Sequence, residues 1–189
     1  MHAPENSLSI PLFARTFYYL RHGETESNRL KTIAGSLDVE LNETGRAQAL
    51  AAIELVRPLG VTHVTSSVLR RARDTATVIA RALQLSHVVL PELGERDWGE
   101  LEGQPQALRA AGVKAAGAES REQFMVRTRA GLVKVEARGM PLIVAHSGTF
   151  RVLCQLLGMG EPGATIANCR PVRFMPPAQP GAAWTMEIL

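Results

Sequence analysis

Four short clusters carry the side chains able to do chemistry: Arg21-His22-Gly23-Glu24, Ser66-Ser67 followed by Arg70-Arg71, the carboxylates Glu92 and Glu95, and His146-Ser147-Gly148. Together they supply two imidazoles, several guanidinium groups and carboxylates, a set that suits phosphoryl transfer through a covalent intermediate. A neutral imidazole attacks phosphorus through one ring nitrogen when a hydrogen bond to the other fixes its tautomer. Guanidinium groups offer paired donors to the three equatorial oxygens, which carry most of the charge. A carboxylic acid protonates the leaving oxygen and later takes a proton from water. Nothing in this scheme needs a metal ion.

Taken singly, each cluster has a plainer reading. Gly23 can serve only to turn the chain, Arg71 can be a solvated helix residue, Glu95 a surface carboxylate or half of an ion pair, and His146 a satisfied core histidine. Their shared position argues otherwise. Thr16 to Leu20, His63 to Thr65, His87 to Leu90 and Pro141 to Ala145 are short β-favouring runs ending in polar residues, which predicts four strands. The chemistry-bearing residues follow these runs, and in an open parallel sheet ligands bind beyond the carboxyl ends of the strands. His63 and His87 begin strands and are assigned to structure.

Between the strands the sequence has helical period. Leu69, Ala72, Ala76, Ile79 and Leu83 form one apolar face, with Arg70, Arg73, Asp74 and Arg81 on the other. An earlier helix is expected to start at Asn42, whose side chain can cap it, and to break at Pro58 and Gly60. A third is expected from about Glu119 to Arg138, with Phe124, Thr128, Leu132 and Val135 on one side, and a fourth after Gly148. Strand and helix in alternation predict an α/β three-layer sandwich: a mostly parallel central sheet with helices on both faces. Residues 1–15 read as an N-terminal tail and 16–189 as one catalytic domain. Gly99 to Ala118 forms a short cap excursion, and Val172 to Met175 and Trp184 to Ile188 two short edge strands.

Composition closes off other classes. The chain has 189 residues, 46% hydrophobic and 21% charged, which are globular proportions. It contains no apolar run long enough for a membrane span and no secretory leader pattern. The formal net charge of +3 with only 5% aromatic residues gives no nucleic-acid footprint. Two cysteines, Cys154 and Cys169, suggest neither a disulfide framework nor a zinc site, so a reducing cytoplasm is the expected setting. Oligomeric state leaves no signal in the sequence.

At these residues the chain strongly resembles the histidine phosphatase superfamily, the branch that includes cofactor-dependent phosphoglycerate mutases and many small phosphatases. Leu20-Arg21-His22-Gly23-Glu24-Thr25 with Asn28 resembles the signature around the phospho-accepting histidine. Leu41 to Ala49 is similar to the helix start that follows it, and Ser66 to Ala76 to the second arginine motif. Leu93 to Gly99 with Glu102-Gly103 is similar to the acid motif, and Val144 to Gly148 to the second histidine motif. The resemblance implies His22 as nucleophile, Arg21, Arg71 and His146 as the phosphate pocket, and Glu95 as proton donor. It implies supporting substrate contacts from Asn28, Ser147, Gly23 and Thr25, no metal and no cofactor, and a small phosphorylated substrate.

The departures are informative. Mutases of the family resemble one another in a Thr-Gly, a lysine beyond the acid motif and a paired arginine in a longer insertion. Here stand Ala34-Gly35, Gln106, and no Arg-Arg pair between Glu102 and Glu119. A phosphatase is therefore expected over a mutase. Two other classes are a non-catalytic phospho-ligand sensor, which should have lost the nucleophile, clamp or acid, and a binuclear metal hydrolase, which should show closely spaced Asp and His ligands.

Overall fold

The computed structural model describes residues 10–163, 166–179 and 181–189. Among them six strands form one sheet: β1 (Phe17–Arg21), β2 (His63–Ser67), β3 (Ser86–Leu90), β4 (Pro141–Ala145), β5 (Pro171–Met175) and β6 (Thr185–Ile188). Their spatial order is β3-β2-β4-β1-β5-β6. The first four are mutually parallel, whereas β5 runs antiparallel to β1 and β6 antiparallel to β5. The sheet is thus mostly parallel, as the alternation predicts. One expectation needs correction: of the last two strands β6 alone lies at an edge, because β5 pairs with β1 on its other side.

Alternating side chains on the central strands build the layers. On one face Tyr18, Leu20, Leu142 and Val144 pack with Ala49, Ala52 and Val56 of α2 (Glu43–Val56) and Ala76 and Ile79 of α3 (Arg70–Leu83). On the other, Phe17, Tyr19, Ile143 and Ala145 pack with Leu132 of α5 (Arg121–Lys134) and Phe150 and Leu153 of α6 (Ser147–Leu156). Each fully buried large apolar side chain contributes about 1.5 to 3 kcal/mol relative to exposure. Short helices α1 (Glu26–Arg29) and α4 (Gln106–Ala110) lie in the connections.

The helix starts follow capping chemistry. Asn42 Oδ1 accepts the Gly45 N–H at 2.8 Å, as its position predicts. Ser120 and Gln123 form a reciprocal capping box, so α5 begins after Ser120 and stops at Lys134, shorter than expected at both ends. Helix α6 starts at Ser147, one residue ahead of Gly148. Two other boundaries move: β2 includes Ser66 and Ser67, and the described part of the expected N-terminal tail is packed, with Leu12 fully buried against the α5 and α6 layer. Residues 1–9 of that tail lie outside the described residues. No helix among those described is long and apolar enough to cross a membrane.

Candidate active site

Register brings the two histidines together. In the parallel pair β1 and β4, Arg21 lies opposite Ala145, and the ladder continues one step to a bond from His22 N–H to the Ala145 carbonyl at 3.0 Å. His22 and His146 are therefore neighbours at the carboxyl ends of adjacent strands, with ring centroids 5.2 Å apart. Their exposures are 4% and 0%.

The His22 ring is fixed by its own loop, where Nδ1 lies 2.7 Å from the Gly23 carbonyl oxygen. A carbonyl only accepts, so Nδ1 carries the proton and Nε2 keeps its lone pair. Burial, with Arg71 and Arg21 nearby, holds the imidazole pKa well below its ordinary value, so the ring is neutral and nucleophilic at physiological pH. The loop itself is held by the Gly23 N–H bond to Thr75 Oγ1 at 3.1 Å. It also lies so close to α2 that a Cβ on Gly23 would stand 2.4 Å from the Gly45 carbonyl oxygen, a fit that only glycine allows.

Arg71, 1% exposed, enters from the first turn of α3. It donates to the Leu37 and Gly35 carbonyls, both at 2.7 Å, which uses two of its five N–H groups. Desolvation lowers its pKa to about 10, so it stays charged at neutral pH. Arg21 donates to the Ile166 carbonyl at 3.1 Å, and its buried Nε has no partner among the described residues. Both arginines keep donors for an anion.

Glu95 lies at the mouth. Its Oε1 accepts the Arg96 N–H and its Oε2 the Gly148 N–H, both at 2.9 Å. The second bond ties it to the first turn of α6, and a Cβ on Gly148 would sit 2.0 Å from Glu95 Oε1. Two clefts meet at this carboxylate. The larger, of about 1190 Å³, is lined by Glu95, Trp98, Arg109, Ser147, Gly148 and Arg151 among others. The smaller, about 670 Å³, runs from Ser36 and Leu69 to Glu119 and Arg127. His22, Arg71 and His146 line neither, being buried deeper.

The other sequence-predicted residues are placed as follows. Ser147 lines the larger cleft. Thr25 and Asn28 form a reciprocal capping box on α1, with Asn28 Oδ1 accepting the Thr25 N–H at 3.2 Å, so both are engaged locally. Gln106 donates to the Thr32 carbonyl at 3.1 Å and fastens the cap to the loop after α1. His63 bonds Thr62 and the Glu136 carbonyl, and His87 bonds Ser66, both away from the histidine pair.

Three contributors had no signal in the sequence. Arg127 of α5 donates to the Glu92, Gly94 and Glu95 carbonyls at 3.0, 3.0 and 3.2 Å and pairs with Glu119, which fixes the loop carrying Glu95. Asn168 donates to the His22 carbonyl at 2.6 Å. Ser67 Oγ lies 2.8 Å from His146 Nε2. Each acts across a long sequence separation. Among the described residues no group of three or more His, Cys, Asp or Glu side chains is placed to hold a metal ion.

The family model for the histidine phosphatase superfamily (branch 1) matches residues 17–171. A probable phosphoglycerate mutase of Erwinia tasmaniensis is 33% identical over 193 residues, covering 90% of each chain. An agropine synthesis reductase of Rhizobium rhizogenes is 32% identical over 94% of this chain, which spans 43% of that protein. Among solved structures, a mycobacterial glucosyl-3-phosphoglycerate phosphatase in complex with VO3 superposes with a TM-score of 0.77 at 28% identity, covering 92% of this chain and 98% of that one.

Proposed function

The chain belongs to the histidine phosphatase superfamily, and on that premise we propose that it hydrolyses a small anionic phosphomonoester through a phosphohistidine at His22. The observation that carries this reading is the His22 tautomer, because the Gly23 carbonyl takes the Nδ1 proton and leaves the Nε2 lone pair beside two arginines and a second histidine. In the first half-reaction Nε2 attacks phosphorus, the phosphorus–oxygen bond of the ester breaks, and the leaving oxygen takes a proton from Glu95. In the second, water attacks phosphorus, gives its proton to Glu95, and the phosphorus–nitrogen bond breaks to release phosphate. Arg21, Arg71 and His146 hold the phosphoryl oxygens, and the N-terminus of α6 adds its dipole. Guanidinium groups take the place a metal ion has in other phosphatases. Two free buried cysteines, Cys154 and Cys169, fit a reducing compartment, the cytoplasm.

Hydrolysis is favoured over mutase chemistry because Gln106 is committed to the Thr32 carbonyl and the cap holds no helix longer than the five residues of α4. A shallow cap admits water and releases the first product. The mutase reading has its own support in the 33% identity to a probable phosphoglycerate mutase. Hydrolysis of an aryl phosphate in the presence of chelator, with its loss in His22→Ala and an acid-labile, base-stable phosphoenzyme in acid-quenched samples, tests the first reading. Full activity in His22→Ala overturns it. Supplying 3-phosphoglycerate with a trace of the bisphosphate separates the two, since interconversion faster than phosphate release would establish the mutase.

A further inference from the structure

One peptide unit of the loop after α1 is held at both of its ends by charged side chains. Gly35 and Ser36 are joined by a trans peptide bond, whose carbonyl and N–H point in opposite directions. The Gly35 carbonyl accepts from Arg71 Nη2 at 2.7 Å, and the Ser36 N–H donates to Glu102 Oε1 at 2.6 Å. Glu102 Oε2 accepts from the Ser36 hydroxyl at 3.2 Å, so both carboxylate oxygens are committed to this residue. Gly35 has a φ of 52°, and a Cβ there would stand 2.1 Å from Glu102 Oε1. Glycine at this position therefore serves the close approach of the carboxylate as well as the left-handed turn.

The order carboxylate, peptide, guanidinium has a physical consequence. A peptide dipole with an anion at its N–H end and a cation at its carbonyl end is polarised by both, which strengthens each hydrogen bond. It also fixes the peptide plane, since turning it would break the Glu102 bond and the Arg71 bond together. Arg71 Nη1 donates to the Leu37 carbonyl two residues on, so the plane of the guanidinium is set by where this loop places two carbonyls. The cap in turn holds the loop. Ile33 N–H donates to the Gln104 carbonyl and Gly103 N–H to the Ile33 carbonyl, both at 2.8 Å, and Glu102 Oε1 also accepts the Trp98 N–H at 3.1 Å. Burial lowers the Arg71 pKa, while the charges of Glu95, Asp38 and Glu102 favour its protonated form.

We propose that Glu102 is a positioning residue that orients the Arg71 guanidinium through the Gly35–Ser36 peptide, leaving the other N–H groups of Arg71 for phosphoryl oxygens. The inference rests on the phosphohistidine reading above for its catalytic meaning, but not for the orientation itself. It gives the two carboxylates that flank Trp98 different tasks. Glu95 stands at the mouth of the site and exchanges a proton with the reacting oxygens. Glu102 touches no reacting atom and acts on the far side of a peptide plane.

The Nη signals of Arg71 in ¹⁵N-arginine protein, assigned through Arg71→Lys, read the orientation without any turnover. In the wild type the two Nη groups should give separate resonances, because two carbonyls block rotation of the guanidinium, and in Glu102→Ala the resonances should merge. Binding of inorganic phosphate, followed by ³¹P titration, should weaken about tenfold or more in Glu102→Ala, the value of one hydrogen bond to a charged group. Glu102→Gln keeps an oxygen able to accept both N–H groups, so it should restore the separate resonances and bring phosphate binding back to within about threefold. In an Arg71→Ala background, Glu102→Ala should weaken phosphate binding by less than about twofold, since the group it acts through is gone. Merged Nη resonances in the wild type overturn the proposal even if every variant misfolds. Unchanged resonances in Glu102→Ala also overturn it, as does an undiminished loss of phosphate binding in the Arg71→Ala background, which would assign Glu102 to the cap alone. Turnover in His22→Ala keeps the questions apart. Retained activity there would defeat the phosphatase reading and leave the Arg71 spectra to decide the role of Glu102.

Discussion

The inner pocket and the outer cleft of this protein meet at Glu95 and are built on opposite principles. Inside, His22, Arg71 and His146 are 4%, 1% and 0% exposed, and each is fixed by a backbone carbonyl or a buried hydroxyl. They stand at strand ends or in the first turn of a helix packed on the sheet. Outside, Arg96 and Arg109 stack on Trp98 with guanidinium carbons 4.3 and 5.3 Å from its ring, and Lys114 and Arg121 line a cleft walled on one side by the cap and on the other by α5 and α6. The inner groups hold one geometry for one reaction, at the cost of burying charge and polar atoms. The outer groups can change without disturbing the sheet. Under the proposed function, chemistry and substrate choice are thereby separated within one small fold.

The contrast breaks first at Arg71. Arg71→Ala removes a charged donor from a buried site and strips the Gly35 and Leu37 carbonyls of their partner, so kcat/KM should fall about 10² to 10³-fold. Arg71→Lys should not rescue it, because one ammonium cannot reproduce two forked bonds and still serve the phosphate. A lysine variant near wild-type activity would show that the inner pocket is less fixed than its burial implies.

Arg127 tests the seam between the regions. Arg127→Ala should release the loop carrying Glu95 and lower kcat on alkyl phosphates about 10 to 100-fold while affecting aryl phosphates much less, since a good leaving group needs little protonation. Glu95→Gln is the reference, and it should show the same split with a larger loss. Equal losses on both substrates in Glu95→Gln would place the acid elsewhere.

Stability should depend on pH through the two histidines of the inner pocket above all. Burial, then neighbouring charges, holds His22 and His146 well below their ordinary pKa in the folded state. The unfolded chain takes up protons below about pH 6.5 that the folded chain refuses, so stability is fully present above that pH and is lost as pH falls. Each histidine contributes a slope of up to about 1.4 kcal/mol per pH unit, and half-buried His87, also shifted down, adds in the same direction. Urea unfolding between about pH 7.5 and pH 5.5 reads the slope. His146→Gln should reduce it, and an unchanged slope would mean that His146 carries a proton when folded.

The smallest effect is expected in the cleft. Arg109 has no carboxylate paired to it among the described residues and lines the same cleft as Glu95. Arg109→Ala should raise KM about 3 to 10-fold for phosphomonoesters bearing a second anionic group and leave aryl phosphate turnover within about twofold. A kcat loss on aryl phosphate instead would move Arg109 into the inner pocket.

Much of this organisation was already legible in the residues. Apolar spacing gave α3 and its buried face, Asn42 marked the start of α2, and the polar residues after the apolar runs located the rim that holds the candidate site. Such features depend on neighbours within about one helical turn or one strand step, so the sequence contains their whole cause. Other features required distant segments to meet. Position β5 inside the sheet came from pairing with β1, and the packing of Leu12 came from α5 and α6. Helix α5 ends before its apolar spacing does, because Val135 and the residues after it leave the helix while Val135 remains buried. Arg127 finds the Glu95 loop from 32 residues away, Ser67 finds His146 from 79, and Asn168 finds His22 from 146. The sequence by itself determined which groups could act on phosphorus. Tertiary structure alone decided which nitrogen of His22 carries the proton, because that tautomer is set by the carbonyl the fold places opposite the ring.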